Sequence, residues 1–306
     1  MISNQIALVR RELWEHRSIF VTPIAIGTVV TLGVLTMLMF ASGFAAELDV
    51  AIFGAQNLAG DAERKMALTV FFLGTSWIFI VALAFLTVFY SLDSLYAERK
   101  DKSILFWRSL PVTDAETVIS KLLTAVFVLP AITALGIFAT HLLNLIVTSI
   151  WVSMKGGDAS VLIWGSISLF DNWMTALIVL VASGIWMSPF IGWFLFVSTW
   201  SKRMPILMAF MPPIVIALGE GIVFRSRIFL TTVAERGDMT PLFKAGNLEE
   251  FFEEDNWHQG VSNLTLLDKI DLAGFFTSPA LWGGLLVYLR AALPRRELTA
   301  SRAESG

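Results

Sequence analysis

The chain has 306 residues, of which 56% are hydrophobic and only 15% charged, with a mean hydropathy of +0.72. That composition excludes an ordinary soluble globular domain and points to an all-α polytopic membrane protein. The net charge of −3 is informative only through its distribution, and the absence of cysteine excludes disulfides, thiol nucleophiles and cysteine metal sites.

Residues 2–17 place Ile2, Ile6, Val9 and Leu13 at helical spacing, with Arg10, Arg11 and Glu12 elsewhere around the helix. The pattern predicts an amphipathic helix lying at a membrane surface with Trp14 at headgroup depth; a merely polar leader is the alternative. Met1–Arg17 is too long and too mixed in charge for the start of a signal peptide, so the apolar run that follows is expected to stay as an anchor. Ile19–Phe40 is uncharged and long enough, at about 33 Å of helix, to cross a bilayer as span one. A polar loop leads to span two, from about Ala67 to Leu92.

Asp93–Thr117 is a charged island between two apolar runs. Glu98, Arg99, Lys100, Asp101 and Lys102 precede an apolar and aromatic block, Ile104, Leu105, Phe106 and Trp107, then Arg108; Pro111 stops the element. Thr113 followed by Glu116 fits a capping box opening a new helix. The island therefore reads as helix end, short helix, turn and new helix. It is either an ordinary solvated loop or an amphipathic element that grips a partner.

Span three, Leu122–Met154, carries no formal charge with His141 neutral and exceeds what a bilayer needs, so it must tilt, kink at Pro130 or project. Residues 159–170, between Asp158 and Asp171, are too few to span and too apolar for a free loop, predicting an interfacial or re-entrant piece. Span four runs from Asn172 to Ser201 with Pro189 inside. Lys202 and Arg203 make a turn into span five, Met204 to about Phe224, interrupted by prolines and carrying Glu220. A polar segment, Arg225–Asp271, precedes span six, Leu272–Leu289, and an arginine-rich tail. The chain thus divides into a surface helix (1–18), spans one to five with the island (19–224), a polar segment (225–271), and span six with the tail (272–306). Fourteen of the 22 lysines and arginines fall on the side of the amino terminus, which places both termini and the island in the cytoplasm and 225–271 outside.

Few side chains offer chemistry. Glu220 is the carboxylate embedded in a span, either a structural group near the outer interface, within reach of water or Arg225, or part of an outer gate. His141 and Asn144 share a face of span three, toward a pathway or hydrogen-bonded to a neighbouring helix. Glu249, Glu250, Glu253 and Glu254 near His258 suggest a solvated acidic face rather than a cation site, since no EF-hand spacing supports one. Trp151, Trp173, Trp200 and Trp282 sit near span ends as an aromatic belt. No Gly-x-x-x-x-Gly-Lys-Ser/Thr phosphate loop occurs.

The string Tyr96-Ala-Glu98-Arg99-Lys100-Asp101-Lys102-Ser103, followed by Leu105 to Thr113, resembles the first cytoplasmic loop of type-two ABC exporter permeases. In that family a tyrosine-glutamate-arginine cluster precedes a turn of serine, hydrophobic residue and proline, and the segment between is the coupling helix that docks on the ATPase. The resemblance implies six spans, a coupling role for Tyr96, Glu98, Arg99, Lys100, Leu105, Phe106, Trp107 and Arg108, and substrate passage between spans two and five. It also implies a location in the inner or plasma membrane in contact with lipid, two copies of a separate ATPase that hold the ATP and magnesium, and a second permease, identical or paralogous. No cofactor of its own, no enzymatic activity and no nucleic-acid partner is expected. Two other readings are a membrane-embedded lipid-modifying enzyme and an ion-driven secondary transporter. The first needs a cluster of catalytic groups at one depth and the second several buried ionisable groups in repeated halves, and neither pattern is visible.

Overall fold

The computed structural model describes residues 2–40, 43, 58–102, 113–166, 169–237, 242 and 270–278, without the side chains of 2–4, 58–67, 114, 166 and 236. Among these residues the fold is all-α, with five helices long and apolar enough to cross a membrane. In chain order the elements are α1 (Ile2–Glu15), α2 (Ser18–Phe40), α3 (Leu58–Lys100), α4 (Asp114–Leu123), α5 (Leu129–Met154) and the short α6 (Ala159–Leu162). They continue as α7 (Leu169–Trp186), α8 (Ser188–Trp200), α9 (Pro205–Gly219), α10 (Ile228–Gly237) and α11 (Leu272–Thr277).

The five candidate spans are Ser18–Phe40, Leu68–Lys100, Ala115–Met154, Leu169–Trp186 and Pro205–Phe224. Most of span six as read from the sequence, and the segment around Glu249–His258, lie outside the described residues; α11 is the part that is described. Its start is capped by Asp271, whose carboxylate accepts from the Gly274 N–H at 2.8 Å.

α5 is the axis of the bundle, packing against α2, α3 and α7. Ile19, Phe79, Leu129, Ile137 and Leu180, each at most 1% exposed, meet there. Gly27 of α2 lies against Thr140 of α5, so closely that a Cβ would overlap the hydroxyl. Outward faces remain apolar, notably Ile206, Leu207, Ile214 and Val215 of α9, as a hydrocarbon surround requires when every backbone group is satisfied within its own helix.

The long third span changes helix type along its course. Residues Thr124–Val128 form a π turn that joins α4 to α5, and Leu129 and Pro130 open the latter. Proline has no N–H to give the carbonyl four residues back, which is that of Val126. Gly184 of α7 packs directly on this carbonyl, and any side chain there would collide with backbone.

Three element boundaries differ from the sequence reading. The helix of the second span, α3, runs from Leu58 to Lys100, through the first part of the island. Just past its end, Lys102, with a φ of 59°, takes up the left-handed conformation usual there. The fourth span is not one helix: Met187, with φ −82° and ψ −1°, separates α7 from α8, with Pro189 in the first turn of α8. Hydrogen bonds from Met187 N–H to Ser183 O and from Ile191 N–H to Met187 O bridge the break, making it a kink at the proline. Asp171, read as a boundary, lies inside α7 and is 5% exposed.

Candidate functional site: a buried charge cluster

Where α1, α3 and α4 meet, the fold buries charges in sequence-distant pairs. Lys121 of α4 is fully buried, and its Nζ donates to Glu12 Oε1 at 2.8 Å and lies 3.0 Å from Glu98 Oε1. Arg11 of α1 reaches the same Glu98 oxygen at 2.7 Å and holds Glu15 at 2.9 Å. Tyr90 Oη donates to the second oxygen of Glu12 at 2.9 Å. Glu12 is 1% and Glu98 8% exposed. The two buried carboxylates, Glu12 and Glu98, thus face two cations, Lys121 and Arg11, so the buried charges balance and their lone pairs are largely occupied, the condition under which buried charge is tolerated.

The carboxylates of Glu12, Glu15 and Glu98 lie within 4.8 Å of one another, but Lys121 and Arg11 already supply the positive charge that a metal would bring. His16 stands edge-on to Tyr90, with ring centres 4.9 Å apart, and its Nε2 is 4.0 Å from Glu12. Burial holds its pKa below the usual 6.5, against the opposing pull of Glu12. His16 is therefore neutral at pH 7 and leaves the balance of the cluster unchanged.

The neighbouring residue, Arg99, turns to a different helix. Its guanidinium donates to the carbonyls of Ser198 at 2.6 Å and Ser201 at 2.7 Å, satisfying acceptors at the carboxyl end of α8, where a cation is favoured. Ser198 Oγ in turn accepts from the N–H groups of Leu95 and Tyr96 at 3.1 and 2.9 Å. The last turns of α3 are thereby fastened on one side to α1 and α4 through Glu98, and on another to α8 through Arg99.

The chain resumes at Thr113. Its hydroxyl accepts from Glu116 N–H at 3.2 Å, and Glu116 Oε2 accepts from Thr113 N–H at 2.9 Å, the reciprocal capping box expected from the sequence. The carbonyl of Glu116 also accepts from Gln5 Nε2 of α1 at 3.3 Å. Both ends of segment 103–112 therefore lead into helices that α1 holds. Within the island, Tyr96 and Arg99 are partly buried, Lys100 is exposed, and Leu105, Phe106, Trp107 and Arg108 lie outside the described residues.

α1 turns a charged residue into the bundle and leaves apolar side chains on the outside. Ile6 is 64% and Trp14 71% exposed, while Glu12 points inward. Arg10 lies over the Trp14 ring, 5.4 Å from its centre. The ion pairs to α3 and α4, invisible in a local pattern, set the rotation of α1. Sequence reasoning placed Arg10, Arg11 and Glu12 around the helix away from the apolar stripe and gave Tyr90, His16 and Lys121 no role in the site. The available signal was Lys121 itself, a lone charge at the head of a long uncharged run.

Glu220, His141 and Asn144 lie apart from this cluster. Glu220 accepts from the N–H groups of Ile228 and Phe229, each at 2.9 Å, and from Ser226 Oγ. It caps α10 across a π turn, Glu220–Phe224, and these groups rather than Arg225 take its oxygens. His141 Nε2 lies 3.0 Å from Thr75 Oγ1 and 3.4 Å from Ser76 Oγ, and its ring meets that of Phe72 edge-on at 4.3 Å. Asn144, 1% exposed, has no hydrogen-bond partner for its amide among the described residues.

Residues 66–235, more than half of the chain, match the model of a family described as ABC-2 family transporter protein. No curated protein sequence and no solved structure matches the chain.

Proposed function

The chain belongs to the ABC-2 family of transporter proteins and is an integral membrane transport permease; from that premise we propose that it is the membrane-spanning subunit of an ATP-driven exporter. It works as a dimer of permeases with two copies of a separate ATPase, which bind the ATP and magnesium. Six spans cross the inner or plasma membrane, with both termini and the island in the cytoplasm. Segment 103–112 is the coupling helix, with Leu105, Phe106, Trp107 and Arg108 presented to the ATPase and Tyr96, Glu98, Arg99 and Lys100 behind them.

The observation that carries this reading is the buried cluster of Glu12, Glu98, Lys121 and Arg11. A segment that transmits force from a soluble motor needs a stiff footing. Glu98 and Lys121 stand on the two helices that flank the segment, and Arg11 and Glu12 tie both to α1. Closure of the ATPases then moves α1 and the ends of α3 and α4 as one body, rocking the permeases between inward-open and outward-open states. Substrate crosses between α3 and α9, the second and fifth spans. Affinity purification in mild detergent, with identification of the bound chains, tests the reading. An ATPase recovered with the protein supports it, and its absence from correctly inserted, undegraded protein overturns it.

A further inference from the structure

A cleft of 280 Å³ opens between the junction of α1 and α2, the lower part of α3, and the start of α9. Leu86, Phe89, Asp93 and Tyr96 line it from α3, at spacings of three and four that make one helix face. His16 faces them from the junction and Ile206 from α9. Phe89 is 54% and Ile206 48% exposed, so the apolar wall is open to the surroundings.

Asp93 is the carboxylate of this lining. Glu12 and Glu98 one helix turn or more away are saturated by cations, whereas Asp93 has no hydrogen-bond or ion-pair partner among the described residues. Asp93 is exposed, and a carboxylate without a counter-ion, on one helix face with Phe89 and Tyr96 and beside aliphatic side chains, has the composition that recognises a cation attached to an apolar body. An anionic head would meet Asp93 with like charge, and an uncharged one would gain nothing from it.

We propose that this cleft binds amphipathic organic cations: Asp93 pairs with an ammonium head, Phe89 and Tyr96 pack against its carbon-bound hydrogens, and Leu86 and Ile206 receive the apolar part. The volume suits a head and the first part of its tail. Its role as the point where cargo enters rests on the exporter reading, since the cleft lies between the two spans assigned to the pathway. Binding itself does not require the ATPase.

The test uses the full chain in neutral maltoside micelles and three diphenylhexatriene probes of one body, bearing a trimethylammonium head, a propionate head or none. Binding is read as energy transfer from tryptophan. The trimethylammonium probe is expected to bind saturably and about tenfold more tightly than the propionate probe, a difference of about 1.4 kcal/mol. Asp93→Asn should erase that preference, and Phe89→Ala should weaken the cationic probe about threefold while leaving the other two in the same order. Equal affinity of wild-type protein for all three heads overturns the proposal without recourse to a variant, as does an undiminished preference in Asp93→Asn. Added phosphatidylethanolamine separates the two sources of such a head: displacement assigns the site to a lipid amine, persistence of the probe to a non-lipid amphiphile. Probe binding is measured without the ATPase and ATPase recovery without the probe, so either reading can fail alone.

Discussion

Replacing Lys121 by methionine keeps the length of the side chain and removes its charge, leaving Glu12 and Glu98 facing each other in a site where they are 1% and 8% exposed. Glu12 then keeps Tyr90 and Glu98 keeps Arg11, but contacts of 2.8 and 3.0 Å to a fully buried ammonium are gone. Removing one member of a buried ion pair typically costs about 3–5 kcal/mol, because the remaining charge is left uncompensated. α1 is held to α4 through this lysine, so the penalty falls first on the docking of α1. A loss of about 3 kcal/mol raises the undocked fraction on the order of 100-fold. Hydrogen exchange of α1 amides in detergent reads that fraction directly, and the variant should exchange far faster there than wild type while α5 and α7 stay protected. The double variant Glu12→Gln with Lys121→Met removes both charges of one pair and leaves Glu98 with Arg11, so it should recover much of the protection; the difference from additivity measures the pair. Unchanged exchange in Lys121→Met, or losses that simply add, would refute the idea that these charges hold α1 in place.

Gly184→Ala should cost about 1–3 kcal/mol, seen as a lower melting temperature of the purified protein, because its Cβ meets the Val126 carbonyl backbone rather than a movable side chain. His16 has a folded-state pKa below its unfolded 6.5. The unfolded chain therefore binds more protons just below pH 6.5, and stability falls as the pH drops through that window. His16→Gln should flatten the dependence of melting temperature on pH between about 7 and 5, compared with wild type. Trp107→Ala should weaken ATPase recovery roughly thirtyfold or more if the indole is a buried anchor at the interface, with membrane insertion normal; recovery equal to wild type would remove Trp107 from the contact. Single cysteines at Ser103 and Ser262 should label from opposite sides of the membrane, which the cysteine-free chain makes a clean comparison; labelling from one side would contradict the six-span topology.

Local features of the fold were legible in the sequence. Apolar runs located the helices, Thr113 and Glu116 foretold the capping box, and Pro189 lies where span four divides into two helices. These signals survive because a bilayer leaves the backbone little choice but helix, so punctuation is set by prolines and caps. The site was legible only in part. Glu98 and Arg99 stood out in the island, but their partners are 87 residues away in Arg11 and 99 and 102 residues away in Ser198 and Ser201. The pairing of Glu12 with Lys121 spans 109 residues, and helical periodicity carries no information about which distant charge will neutralise which. The local pattern left the direction of Glu12 open for that reason: an amphipathic pattern sends charge outward unless a buried counter-charge draws it in. The partners of Glu220 were not legible, since a cap on α10 depends on a chain reversal at Arg225, where φ is 49°, that no glycine announces.

The central claim is that the cluster makes α1 and the ends of α3 and α4 one mechanical unit between motor and pathway. Its most direct measurement is ATP hydrolysis and substrate transport recorded together in the purified permease–ATPase complex carrying Glu98→Gln and Lys121→Met. The account predicts that the ATPase remains bound and turns over while transport per ATP falls at least tenfold. Transport per ATP equal to wild type in a correctly assembled complex would contradict it.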